Sequence, residues 1–439
     1  MAIDTTNGKY YLLSSQARIQ VPYIKVTIGK YTFGVFSRET KNKNNLKQYN
    51  IEYPNYIQSM SIIKLNGKVN QYTLNLTYPI TQFDDPNFFE KVFSSVSNSR
   101  KIVLSYGDAS MPNFMYKEEE AMITKITQSF DLSGSSISYT ISAISTCTLA
   151  QSGSYTFINN KAIKPSDEIK RLFKDSRYGL QSLFTGMNIR DLSEFIAGDD
   201  AYVKVDSKTN ISILDYINYL VGCMMPANSN RSTNISKDIY ILTIHDDTVY
   251  DRLVQNRDML KGKEITGPYF KITRTSYTQA RTDAYTIDVG YNTSTIVTSF
   301  AIENNENYSL YYDYQKDLSN NNQYVRRINN EGKWEDVFAP TSTSNNENYI
   351  TRPEDVQWYT KITKYPINAT ITIQGLLRPA QLMQYVRLNV IFPGGHKHMS
   401  SGLYIITKQV DTIDQNGYKT QLSLTKISGD DNPTTYKEV

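Results

Sequence analysis

The sequence predicts a mainly β protein, α+β in detail. Two duplicated β-barrel domains flank a small helical or α+β domain, and a polar insertion lies in the second half. Three observations carry this. Tyr (35) and Asn (37) are abundant, whereas His (three), Cys (two) and Trp (two) are scarce. Tyr favours strands and interfaces, and Asn favours turns because its side chain bonds its own backbone. Apolar residues alternate with polar ones over most of the chain, and the period changes to helical from Lys164 to Pro226. Finally, one hairpin sequence recurs 283 positions later. At about 150 residues per domain the 439 residues hold roughly three domains. With 39% hydrophobic and 21% charged residues, sizeable cores can form.

The first 150 residues read as strands. Ile24, Val26 and Ile28 alternate, Gly29-Lys30 turns the chain, and Tyr31, Phe33 and Val35 alternate back. Ile57 to Leu65 runs into Asn66-Gly67, a strong hairpin signal, and Tyr72, Leu74, Leu76 and Tyr78 then alternate with Thr73, Asn75 and Thr77. Asp84-Asp85-Pro86 opens a helix whose apolar face is Phe88, Phe89, Val92, Phe93 and Val96. Lys101 to Tyr106 is a short strand. Ala121–Ser129 and Ile137–Ile144 pair across Leu132-Ser133-Gly134-Ser135.

Helical spacing follows. Pro165-Ser166-Asp167-Glu168 starts a segment bearing Ile169, Leu172 and Phe173, with Ser166 as its expected N-cap. A shorter helix covers Asp191–Ile196. In Ser212 to Met224, residues Ile213, Tyr216, Ile217, Leu220 and Val221 make one stripe. Strands return at Ile239–Ile244, Tyr269–Tyr277, Ala284–Val289, Ser294–Ile302, Ala369–Gln374, Val386–Phe392, Leu403–Val410 and Lys419–Ile427. The domain expectation is 1–150 for the first barrel, 151–235 for the helical domain, and 236–302 with 356–430 for the second barrel. Residues 303–355 form the insertion and 431–439 a tail. The insertion is rich in Asn yet holds Tyr311, Tyr312, Tyr314, Trp334 and Phe338. It reads either as a loose polar segment or as a packed lobe that docks a partner.

Laid without gaps over Ile405–Ser428, Met122–Ser145 is identical at seven of 24 positions. These are Ile123/Ile406, Thr124/Thr407, Lys125/Lys408, Asp131/Asp414, Gly134/Gly417, Ile144/Ile427 and Ser145/Ser428. Unrelated hairpins can converge on an Asp-x-x-Gly turn. Duplication fits better, because both copies close their half of the chain.

Little reactive chemistry is written here. His396-Lys397-His398 could offer two metal ligands from one face, but no Cys, Asp or Glu lies near enough to complete a site, so a polar loop is expected. His245-Asp246-Asp247 mimics a base with its orienting carboxylate but has no nucleophile beside it, so a surface turn is expected. Glu118-Glu119-Glu120 offers paired carboxylates, but neighbours on a strand face opposite ways, so a solvated charge run is expected. Gly394-Gly395 lacks phosphate-loop spacing. Cys147 and Cys223 read as free thiols. No catalytic, cofactor or metal residues are assigned, and no enzyme is expected. The net charge of +4, from 47 basic and 43 acidic residues, is too small for electrostatic nucleic-acid binding. Neither a signal peptide nor an apolar run of about 18 residues is present, so synthesis in the cytoplasm without membrane insertion is expected.

Several stretches carry a family resemblance. They are Asn87-Phe88-Phe89-Glu90-Lys91-Val92-Phe93, Asp288-Val289-Gly290-Tyr291 with Thr298-Ser299-Phe300, and above all Gly394-Gly395 with Ser401-Gly402-Leu403-Tyr404-Ile405-Ile406 and Asp414 to Leu424. With these the chain resembles the baseplate hub proteins of tailed bacteriophages and contractile injection systems. It is also similar to the N-terminal part of tail-associated proteins of non-contractile tails. The resemblance implies two tail-tube-like barrels per chain and a homotrimer of pseudo-sixfold symmetry. Such a trimer joins the hexameric tail tube to a trimeric central spike or tip, with the tape measure protein and other baseplate proteins as further partners. DNA passes through its lumen without specific binding. Asn-, Ser- and Thr-rich faces such as Thr73/Asn75/Thr77 suit that lumen. Two other readings are a carbohydrate-binding tail-tip protein using the aromatic residues of 307–359, and the hub-like part of a tail tip with a cell-wall hydrolase partner.

Overall fold

The computed structural model describes residues 22–36, 53–54, 56–81, 84–94, 100–108, 117–188, 191–203, 205–224, 240–246, 267–275, 284–291, 297–304, 312–317, 322–328, 334–338, 367–374, 382–398 and 400–429. The tail expected at 431–439 lies outside them.

The first unit holds β1 (Pro22–Ile28), β2 (Tyr31–Phe36), β3 (Tyr53–Pro54), β4 (Ile57–Leu65), β5 (Gln71–Pro79), helix α1 (Phe88–Ser94), β6 (Lys101–Asp108), β7 (Lys117–Phe130) and β8 (Ser136–Ser145). They pair in the order β4-β5-β8-β7-β6-β1-β2-β3, antiparallel except for the last pair. Alternation decides the faces: Ile24, Val26, Ile28, Tyr72, Leu74 and Leu76 are buried, and the polar residues between them point away. Helix α1 covers one end of this core. Phe89 stacks on Phe33 of β2 at 5.4 Å and lies 4.6 Å from Tyr139 of β8 and 5.6 Å from Tyr78 of β5. Strands from both ends of the run therefore share one core, so the sheet is rolled. Each such aromatic buries roughly 150–250 Å².

The insert between the units comprises β9 (Tyr155–Phe157), α2 (Pro165–Lys174), α3 (Leu180–Leu183), β10 (Lys208–Ile211), α4 (Ile213–Gly222), β11 (Tyr240–His245) and β12 (Tyr269–Arg274). Two-stranded sheets β9–β10 and β11–β12 flank the helices. Ser212 caps α4, its Oγ accepting from the Asp215 N–H at 3.1 Å. At α2 the expected cap differs. Pro165 occupies the first turn, Lys164 is the N-cap, and Ser166 is buried, its N–H donating to Asp200 Oδ2 at 2.9 Å. A distant carboxylate thus does the capping. The insert is also larger than expected. Tyr240, Leu242, Ile244, Phe270 and Ile272, assigned from sequence to the second barrel, are buried with Ile169, Leu172, Ile217 and Leu220 in one core. Alternation identified β11 and β12 as strands but carries no record of which core they join.

The second unit holds β13 (Tyr285–Gly290), β14 (Val297–Asn304), β18 (Ile367–Gln374), β19 (Tyr385–Ile391), β20 (Gly402–Asp414) and β21 (Gly417–Gly429). Between β14 and β18 lies an antiparallel sheet of β15 (Tyr312–Asp317), β16 (Asn322–Ile328) and β17 (Trp334–Phe338), where a loose polar segment was one of the two expectations. The order β14-β18-β21-β20-β19-β13 repeats β4-β5-β8-β7-β6-β1, with β13 parallel to β19 where β1 is antiparallel to β6. Irregularities repeat too. In β7 the register slips between Ile123 and Lys125, and in β20 between Ile406 and Lys408. The extra residue is Thr124 in one and Thr407 in the other, and each hydroxyl donates to a carbonyl of the next strand, Ser142 at 3.1 Å and Ser423 at 3.2 Å. A second bulge sits between Ile57 and Ser59 in β4, and between Val297 and Ser299 in β14. Bulges at two matched places argue for duplication more strongly than seven identities do.

The repeat needs one correction. Asp131 faces Ser136 across a turn of four residues, whereas Asp414 faces Gly417 across only two. Strand β7 maps on β20 by 283 positions, but β8 maps on β21 by 281. Gly134/Gly417, Ile144/Ile427 and Ser145/Ser428 are therefore not equivalent ladder positions. A shift of two preserves the side-chain face, which is why the ungapped match looked good.

Candidate functional site

Eight strands, four from each unit, form one continuous run: β14-β18-β21-β20-β4-β5-β8-β7. The units meet where β20, beyond its bulge, pairs with β4 from Lys408↔Leu65 to Asp414↔Ser59. One face of the run is packed on the cores. On the other, one row of neighbours reads Thr412, Ser61, Thr73, Ser142, Lys125, and the next reads Asp414, Ser59, Asn75, Thr140, Thr127. Thr73, Asn75 and Thr77 all lie on this face.

Short polar side chains satisfy one another across the strands. Asn75 Nδ2 donates to Ser59 Oγ at 2.9 Å and Thr140 Oγ1 donates to Asn75 Oδ1 at 2.9 Å. Thr77 and Ser138 hydroxyls are 3.3 Å apart, and in the second unit Thr425 Oγ1 donates to Asn368 Oδ1 at 3.0 Å. Charges on this face are few and mixed: Lys125, Lys408, Lys419, Glu120, Glu303 and Asp414. Such a surface holds water and gives a polyanion no counterion-releasing grip.

The acidic candidates are displaced from where the sequence put them. Glu119 and Asp246 are buried. Glu119 shares its face of β7 with Ala121 and Ile123, so alternation carries it inward. Its carboxylate takes Lys64 Nζ at 2.6 Å, the Tyr106 hydroxyl at 2.6 Å and the Tyr72 hydroxyl at 2.6 Å. The run 118–120 is therefore not wholly solvated, and its middle member anchors a core. His245-Asp246 is not a surface turn either. Asp246 accepts from Ser145 Oγ at 2.6 Å and Asn70 Nδ2 at 2.7 Å, and lies 3.2 Å from the Tyr72 hydroxyl. Tyr72 has one proton and gives it over the shorter contact to Glu119, so its contact with Asp246 suits a protonated Asp246. Burial accordingly pushes Asp246 up to about 6, with the Glu119 charge adding to it. His245 stacks on Tyr269 at 4.7 Å, with Nε2 2.8 Å from Thr243 Oγ1. Burial, then Lys271 and Lys64, hold it down to about 3. Asp247 lies outside the described residues. The network ties the insert to the first unit, and Glu119 and Asp246 at its centre are buried.

His396 and His398 are exposed, as expected of a polar loop, and His398 Nδ1 is 2.7 Å from Ser400 Oγ. Cys147 and Cys223 are free and buried. Burial raises both thiols, Cys223 to about 12. Among the described residues no helix is long and apolar enough to cross a membrane.

Solved structures similar to this one include tail proteins. The tail protein of Neisseria meningitidis MC58 has a TM-score of 0.47 at 10% identity, over 92% of this chain and 96% of its own. The 43 kDa tail protein of prophage MuSo2 from Shewanella oneidensis has 0.45 at 11%, over 92% and 98%. The Francisella PdpA-VgrG complex in its lidded form has 0.43 at 10%, over 94% of this chain and 53% of that one. No protein-family model and no curated protein sequence matches the chain.

Proposed function

We propose that this chain is a structural hub subunit of a phage-type tail. Three copies form a ring around a channel, joining a sixfold tail tube to a threefold spike or tip, and DNA passes through without catalysis or specific binding. The observation that carries this reading is the duplicated four-strand unit with its polar face. Three chains with two units each present six similar positions on a threefold frame, which is what a symmetry adaptor needs. The weak, mixed charge of the face suits passage rather than retention of a polyanion.

Light scattering and electron cryo-imaging of the purified full chain test it. The expected result is a trimeric ring with a central opening. A stable monomer, or a particle without an opening, overturns the reading.

A further inference from the structure

We propose that Asn416 is a self-modifying site: the backbone nitrogen of Gly417 closes on its side chain, ammonia leaves, and water opens the ring to isoaspartate and aspartate. Asn66 carries the same Asn-Gly sequence, and the fold holds it unreactive. The proposal does not rest on the ring reading.

The sequence puts the two sites on an equal footing. Asn66-Gly67 lies in the β4–β5 connection and Asn416-Gly417 in the β20–β21 connection. A third pair, Asn7-Gly8, lies outside the described residues. With glycine following, no side chain shields the nitrogen, and the backbone turns freely to present it. Two groups held beside each other in one chain then react without the cost of bringing them together. The Gly nitrogen gives its proton to solvent hydroxide and bonds to the Asn Cγ. The Cγ–Nδ2 bond breaks, its nitrogen leaves as ammonia, and a five-membered imide is closed. Water then adds to one of the two ring carbonyls. Breaking the bond at Cγ gives an aspartate on a normal backbone. Breaking the bond at the backbone carbonyl leaves the chain running through Cγ as isoaspartate. One water enters, one ammonia leaves, and nothing is oxidised or reduced.

At Asn66 the surroundings oppose this. The Gly67 N–H donates to Leu242 O of β11 at 2.8 Å, so the proton that must leave is engaged. The Gly67 carbonyl accepts from Asn218 Nδ2 of α4 at 2.7 Å, and the Asn66 N–H donates to Thr407 O of β20 at 3.3 Å. Turning the peptide between Asn66 and Gly67 loses the first bond and pulls on the other two. Space is short as well. Gly67 is buried, and a Cβ there would meet Asn218 Oδ1 at 2.2 Å.

At Asn416 that hold is missing. The residue is exposed, and its side-chain amide has no hydrogen-bond partner among the described residues. A Cβ added to Gly417 would meet nothing within 4 Å, so the room that a turning peptide needs is open. Gly417 pairs with Asp414 in the last pair of the β20–β21 ladder, and the end of a ladder opens most readily. The turn is steadied beside the reacting atoms rather than on them. Asn416 N–H donates to Asp414 Oδ1 at 2.7 Å, and Gln415 Nε2 donates to Gln58 Oε1 at 2.8 Å. The products alter this turn. Isoaspartate adds a carbon to the backbone of a very short connection, and either product sets a second carboxylate beside that of Asp414, which it repels.

The test incubates the folded full chain in mildly alkaline heavy-oxygen water and maps its peptides by mass spectrometry over time. The same chain unfolded in urea is followed alongside. In the folded chain Asn416 is expected to convert at least about tenfold faster than Asn66. Its products are expected to carry one heavy oxygen and to include isoaspartate, told from aspartate by electron-transfer fragmentation. In urea the two rates are expected to converge, because the sequence around each nitrogen is then all that differs. Asn416→Gln, which would have to close a larger ring, is expected to keep the native circular dichroism and to lose the product. An Asn416 that stays intact in the folded chain overturns the proposal, and so does an Asn66 that converts as fast. Aspartate without isoaspartate overturns the ring closure. The hub reading is untouched by any of these outcomes.

Discussion

Gly67 shows what one residue contributes. It sits in the β4–β5 connection with φ +68°, donates its N–H to Leu242 O at 2.8 Å, and accepts from Asn218 Nδ2 at 2.7 Å. A Cβ there would lie 2.2 Å from Asn218 Oδ1. Gly67→Ala is therefore expected to cost about 1–3 kcal/mol, from left-handed strain and the displaced Asn218, read as a lower melting temperature. Asp246 and His245 give a pH prediction. The folded chain keeps a proton on Asp246 between about pH 4 and 6 that the unfolded chain has lost, so this contribution to stability falls as pH rises through that window. His245 acts oppositely. Below about pH 6.5 the unfolded chain takes up a proton that the folded imidazole refuses down to about 3, so stability falls with acid. The two slopes oppose each other in the native chain. Asp246→Asn removes one of them, so urea-derived stability is expected to fall between pH 6.5 and 4 by on the order of 2 kcal/mol more than in the native chain. An unchanged pH profile would place the titration on another group.

Elements were more legible than their partners. Alternation gave most strands, and Ser212 before an apolar stripe gave α4, because a strand's face and a helix's stripe are local properties. Glu119 was legible in principle, since it shares the parity of Ala121 and Ile123, but a run of three charges masked it. Long-range facts left no local trace. Asp246 meets Ser145 and Asn70 more than 100 residues away. The bulges at Thr124 and Thr407 add one unremarkable residue each, yet past its bulge β20 leaves β19 and pairs with β4 of the other unit. The polar face at Thr73, Asn75 and Thr77 could be read from period two, but its continuation across β20 and β4 could not. That junction depends on register between distant strands.

At the scale of the whole molecule, the near-neutral face carries a prediction about traffic. Thr73→Lys together with Thr370→Lys places one new Lys in each unit, two per chain and six in the proposed ring of three. With one Lys per unit, genome release is expected to slow, and more so at low salt, because each new cation holds a phosphate. Ejection kinetics that do not change would separate the polar face from the channel. The unequal turns described above have a further consequence for a ring of three. Turns β7–β8 and β20–β21 lie at one end of the eight-strand run, the β4–β5 and β14–β18 connections at the other. At the first end the two units differ by two residues. At the second, a short loop docked to the insert alternates with the three-stranded sheet β15–β17. In the proposed ring of three, one rim would be a crown of six nearly equal teeth, and the other a crown of three tall and three short. In the proposed assembly a sixfold neighbour would fit the even rim and a threefold neighbour would key on the uneven one, so the places where extra residues were inserted would set the polarity of the ring.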